Sequence, residues 1–115
     1  MSASGMSSAN RRFMRLIVFF DLPTKTKQEK RAYTLFRRFL LNDGYDMLQW
    51  SVYGRVVNGM DAEEKHLQRL IANLPPAGSV RSLSITEKQF ASMKMLVGKQ
   101  NFQEKKLNTD QMLLF

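Results

Sequence analysis

Cysteine is absent from this chain, which excludes disulfides and thiolate-held metals, and a lone histidine, His66, cannot form the multi-imidazole sets of zinc sites. Any metal must be held by oxygen ligands. Long apolar runs are missing as well. The longest, Leu16 to Phe20, falls far short of the ~20 residues a helix needs to cross a bilayer, and no signal-like apolar segment is present, so a cytoplasmic protein without membrane contact is expected. Catalytic signatures are equally scarce: the chain has no glycine-rich phosphate loop, no Ser-His-Asp set, no Cys-x-x-Cys pair and no His-Glu helix motif. Acids are few. Ten Asp and Glu against 18 Lys and Arg leave a net charge of +8 and a pI near 10.1. That balance favours a polyanionic partner through counterion release, with nucleic acid foremost.

What the chain does contain is the pattern of one domain. Its 115 residues, 43% hydrophobic and 24% charged, suit a soluble globular unit with a modest core. Residues 1–12 read as a disordered leader, because Met1 to Asn10 is small, polar and aperiodic. The domain proper is expected over 13–98, with 99–115 a C-terminal connection and docking strand. Met14 to Phe20 is almost unbroken apolar sequence ended by Asp21-Leu22-Pro23, which predicts a central strand covered on both faces. After Pro23, Thr24 or Thr26 can cap a helix from about Lys25 to Asp43, with Glu29 closing a capping box on Thr26 and Gly44 just past the end. Ala32, Leu35, Phe36, Phe39 and Leu40 form its apolar stripe.

Tyr45 to Val57 reads as two short strands with a bulge or bend at Gln49-Trp50-Ser51. A second helix from about Asp61 to Leu74 carries the stripe Leu67, Leu70, Ile71 and Leu74 and is stopped by Pro75-Pro76. Ser79 to Ile85 is the next strand, with Arg81, Leu83 and Ile85 on the side expected to be buried and Ser82 and Ser84 opposite. Thr86 to Phe90 is a turn or short helix, and Met93 to Val97 is a further apolar stretch of strand length. The order gives an α+β, ferredoxin-like βαββαβ sandwich, an antiparallel sheet with two helices on one face. Gln111 to Phe115 is added as a C-terminal edge strand, docked on this chain or a partner. That fold serves many functions, so side chains must decide.

Two features carry chemistry. Asp21, directly after the first strand, could ligate a hard cation such as Mg²⁺. One carboxylate makes a weak site. Two protomers meeting about a two-fold axis near this strand end would let paired Asp21 side chains share one ion; otherwise Asp21 caps a turn before Pro23, the reading composition alone favours. The second feature is a cationic ridge. Lys25, Lys27, Lys30, Arg31, Arg37 and Arg38 lie within 25–38, where Glu29 is the one acid, and Arg11, Arg12 and Arg15 could extend the row. Such a field suits phosphates, although a charged helix face is often only solubilising. No recognition-helix pattern or aromatic platform is evident in the ridge, so sequence-specific base reading is not expected. Phe19, Phe20, Trp50 and Tyr53 read as core residues more readily than as base-stacking ones, the methionines as packing, and His66 as a surface helix residue.

Taken together, MRLIVFFDLPTKT, EKRAYTLFRRFLLNDG, GYDMLQWSVYGRV and TEKQF resemble, over roughly Phe13 to Gly98, the second CRISPR-associated protein family, in its type II form. Members of that family bear the name CRISPR-associated endoribonuclease. The resemblance implies a ferredoxin-like homodimer that holds duplex DNA, the prespacer, and bridges dimers of the CRISPR integrase subunit during spacer acquisition. It also implies a Mg²⁺-dependent endonuclease acting on RNA or DNA, with the Asp at the end of the first strand, here Asp21, as catalytic metal ligand, one ion being shared across the dimer. Ser51 and Tyr53 fall on the Ser-Val-aromatic motif near that dimer interface. Phe20 stands where some relatives carry Tyr, so a hydroxyl is lost beside Asp21. The cationic surface alone would equally suit a stand-alone, toxin-like metal-dependent ribonuclease or RNA-binding module.

Overall fold

The computed structural model describes residues 13–98. The leader, Arg11, Arg12 and the expected C-terminal edge strand lie outside the described residues. The elements are β1 (Phe13–Asp21), α1 (Lys27–Asn42), β2 (Asp46–Gln49), β3 (Val52–Asn58), α2 (Met60–Ala72), β4 (Ser79–Thr86) and a short α3 (Glu87–Ala91). The four strands form one antiparallel sheet in the order β2-β3-β1-β4, with β1 central. This is the ferredoxin-like split arrangement.

Local chemistry sets the boundaries. At the start of α1, Thr26 Oγ1 accepts from Glu29 N–H (3.1 Å), and Glu29 Oε1 accepts from the backbone of Thr26 (3.0 Å) and Lys25 (2.9 Å). This capping box satisfies orphan donors and confines the helix start to Lys27. At its other end Tyr45 N–H donates to Leu40 O (3.0 Å) and Gly44 N–H to Leu41 O (3.2 Å), a Schellman closure that needs the positive φ of Gly44 (92°). Leu40 and Tyr45, brought together by that closure, are both buried. Thr86 and Gln89 repeat the capping box at α3.

The core lies between the helices and one face of the sheet. Leu16, Val18 and Phe20 of β1 and Tyr53 and Val57 of β3 pack against Phe36 and Leu40 of α1 and Leu70 of α2. Several expectations fail in an informative way. Leu35 of the first stripe is 50% exposed, and Tyr33 packs against the core instead. Ile71 and Leu74 of the second stripe are also exposed, Leu74 lying beyond the helix. On β4 the faces are reversed. Ser84 pairs with Leu16, Ser82 with Val18 and Val80 with Phe20 on the helix side, whereas Leu83 pairs with Ile17 on the other. The two long helices therefore cover β1 on one face only, and on the other α3 alone reaches it, at Arg15. Phe13, Phe19, Val56 and Leu83 are exposed on the opposite, open face, where Ile17 is nonetheless buried. Met93 to Val97 is not a strand: it pairs with no strand among the described residues, and Leu96 and Val97 are exposed.

Candidate nucleic-acid interface and metal-binding acid

The ridge is built by helix periodicity. Because Phe36 and Leu40 face the sheet, Lys27, Lys30, Arg31, Arg37 and Arg38 are turned to the outer arc of α1, and all are exposed, as is Lys25 in the turn before it. Glu29, the one acid in the stretch, is withdrawn into the cap. Its carboxyl is held below the ordinary carboxylate range, chiefly by the backbone hydrogen bonds from Thr26 and Lys25. Arg37 has a structural duty too, its Nε donating to Tyr53 Oη at 2.9 Å.

Arg15 does not extend this ridge. As an odd-numbered residue of β1 it lies on the open face, where it pairs with Glu87 and sits 4.2 Å over the ring of Phe90. α3 thus pins down the cation that the sequence made available. Tyr53 likewise belongs to the core, fully buried on the helix face, and its ring stacks on Phe20 at 5.6 Å. Ser51 is partly buried at the tip of the β2–β3 hairpin with φ 64°, its carbonyl accepting from Phe20 N–H at 3.0 Å.

Asp21 is exposed at the last position of β1, paired with Ser79, and its odd position places it on the open face. Gly78 holds this strand end closely: a Cβ there would lie 2.5 Å from Asp21 O, and φ is 96°. One carboxylate supplies the hard oxygen chemistry Mg²⁺ requires but not the number of ligands. Among the described residues no group of three or more acids or histidines is gathered that could complete a site within one chain.

Two features were missed by sequence reasoning. His66 is not a surface residue: its Nδ1 donates to Asp43 Oδ2 (2.9 Å), while Arg69 donates to Asp43 Oδ1 (2.7 Å) and Arg55 to the Asp43 carbonyl. Asp43 is 5% exposed, so this cluster is a buried strut tying the end of α1 to α2 and β3. Trp50 is not core either. It is 71% exposed at the hairpin tip, stacked on Tyr33.

Among the described residues no helix is long and apolar enough to cross a membrane. Residues 14–93 match the family described as CRISPR associated protein Cas2. The CRISPR-associated endoribonuclease Cas2 of Acidovorax ebreus (strain TPSY) is 69% identical over 102 residues, covering 89% of this chain and all of that protein. The protein of the same name from Campylobacter jejuni is 43% identical over 104 residues, covering 90% of this chain and 73% of its own length. A solved structure titled "Crystal structure of cas2" aligns with a TM-score of 0.50 over 78% of this chain and 92% of that one, at 19% identity, a likeness of fold. With the strand-end acid and the split βαββαβ sheet already in place, these matches show that the chain belongs to the CRISPR-associated Cas2 family.

Proposed function

We propose that two copies of this chain pair into a scaffold for type II CRISPR spacer acquisition, holding duplex prespacer DNA on the α1 ridges and bridging integrase dimers in the cytoplasm. The observation that carries this reading is the ridge itself. Exposed Lys27, Lys30, Arg31 and Arg38 lie along one helix whose single acid is bound to the backbone, so the surface presents nearly uncompensated positive charge. Such contacts fix a duplex by its phosphates without reading its bases.

The open face supports pairing. Phe13, Phe19, Val56 and Leu83 leave an apolar surface of the kind that marks interaction sites, and Asp21 stands on the same face. Pairing across it about a two-fold axis would bring two Asp21 carboxylates toward one another, and these would hold a single Mg²⁺. The ion, when bound, supplies charge neutralisation at a phosphodiester. The chain's own part is to orient the carboxylates through the β1–β4 pairing and the close approach of Gly78. The name endoribonuclease borne by the relatives supports Mg²⁺-dependent cleavage of RNA as a second reading of this acid.

Reconstitution with the neighbouring integrase separates the two. Spacer insertion should require this chain and tolerate Asp21→Ala, and Lys27→Glu with Arg31→Glu should abolish retention of a short duplex while the dimer stays folded. Retention undiminished by the double reversal would refute the ridge. Mg²⁺-dependent cleavage removed by Asp21→Ala, alongside insertion that does not need this chain, would make the catalyst reading the correct one.

A further inference from the structure

We propose that Arg81 pairs with Asp21 of a second copy of this chain, so that two reciprocal ion pairs hold the open faces together when no metal is bound. The proposal deepens the pairing reading given above and rests on it. Strand register carries the argument. Asp21 lies opposite Ser79 and Phe19 opposite Arg81, so all four belong to the open face, and Arg81 is the diagonal neighbour of Asp21 across the β1–β4 pair. Both residues are exposed, and among the described residues neither side chain has a hydrogen bond or an ion pair.

Symmetry turns that placement into complementarity. A two-fold contact presents a surface to itself, so a face bearing one acid beside one base matches its own rotated image, whereas two carboxylates meeting alone near the axis repel. Diagonal neighbours across an antiparallel pair stand about 7–8 Å apart, a span that a long side chain bridges. An Asp21 that approaches its twin near the axis therefore also comes within reach of the partner's Arg81. The guanidinium becomes the counter-charge in the ion-free dimer, and its planar fork fits a carboxylate through two parallel hydrogen bonds.

Burial demands such a pair. Arg81 shares its side of β4 with Leu83 and stands opposite Phe19, so pairing that covers these apolar residues takes the guanidinium out of water with them. A cation buried without an acid opposes association. Position decides which acid answers. Glu87 is already bonded to Arg15. Asp46 stands on β2, at the opposite edge of the sheet from β4, and Asp61 and Glu63 are carried by α2 behind the sheet. Asp21 is the acid at the same strand end as Arg81.

Sedimentation equilibrium of the intact chain in EDTA reads the dimer constant. Arg81→Gln and Asp21→Asn each remove both pairs at once while keeping side-chain size, and each should weaken the dimer roughly 30-fold or more, with the double variant no weaker than the weaker single one. Arg81→Glu and Asp21→Lys should each fail to self-associate, because every cross-subunit pair is then like-charged. Mixed in equal amounts, these two should form a heterodimer: the new lysine of one copy meets the new glutamate of the other, and the native Arg81 meets the native Asp21. Mixing could not restore an ion pair made within one chain. A mixture that associates no better than either variant alone, or an Arg81→Gln dimer within about two-fold of the parent, would overturn the ion pairs and leave open-face pairing standing. Should the reversed variants not fold, by circular dichroism, the two neutral variants decide alone. If the parent chain sediments as a monomer, the pairing reading and this inference fall together.

Discussion

Removing the Asp43 side chain should destabilise this domain more than any surface substitution, and the size of the loss can be worked from its surroundings. Asp43 sits at the C-cap of α1 with φ −87° and ψ 9°, a backbone that alanine adopts freely, so Asp43→Ala acts through the carboxylate alone. The side chain is 2% exposed and receives bonds from His66 at 2.9 Å and Arg69 at 2.7 Å. A hydrogen bond to a charged group contributes about 1.5–3 kcal/mol. Arg69 is half exposed and can be rehydrated, which puts its share at the low end, whereas His66 is 13% exposed and loses its acceptor in a nearly dry site. The sum is about 3–4.5 kcal/mol, and at about 4–8 °C per kcal/mol for a domain of this size the melting temperature should fall by roughly 12–36 °C. Thermal and urea unfolding followed by far-UV circular dichroism, at fixed protein concentration, measure it. Asp43→Asn keeps the size and one acceptor and should lose about half as much. A loss below about 1 kcal/mol in Asp43→Ala would refute the view that this cluster ties α1 to α2.

Gly78→Ala should cost roughly 1–2 kcal/mol for its left-handed backbone, and more because the new Cβ would meet Asp21 O at 2.5 Å and Leu22 Cδ2 at 2.8 Å; chemical denaturation checks this, and a neutral result would mean the strand end is not held as described. Burial pushes the Tyr45 phenol up to about 12. Between its ordinary value of 10 and about 12 the unfolded chain gives up this proton while the folded chain keeps it, so stability is full below pH 10 and falls as pH rises above it, by roughly 1.4 kcal/mol per unit. Tyr45→Phe should flatten that part of the alkaline slope in denaturation midpoints, and an unchanged slope would count against it.

The elements were legible where local chemistry speaks alone. Thr26 with Glu29, Gly44 after the helix and Pro75-Pro76 after the second each mark a boundary through a hydrogen bond or a forbidden one; α1 starts one residue after Thr26 and ends two before Gly44, and α2 ends three before Pro75. The position of Asp21 was equally plain, because a polar residue and Pro23 end an apolar strand. Orientation was harder. On β4 the more apolar side, Leu83 and Ile85, faces away from the helices, since the sheet has two apolar faces and periodicity does not say which one its own helices cover. His66 and Trp50 escaped for a related reason. One is buried by a residue 23 positions earlier, Asp43, and the other is exposed by the shape of a hairpin, and neither fact is written in a local pattern.

The cap on α1 reaches beyond helix stability. Glu29 is the lone negative group among the cations of its segment; the backbone amides of Thr26 and Lys25 hold its carboxylate back on the chain, and the Thr26 hydroxyl, accepting from Glu29 N–H, sets the turn that lets it reach them. Were Thr26 an alanine, that acid would be freer to swing toward Lys25 and Lys30, screening them from any phosphate. A hydroxyl that touches no nucleic acid thereby governs how much attraction the surface can exert.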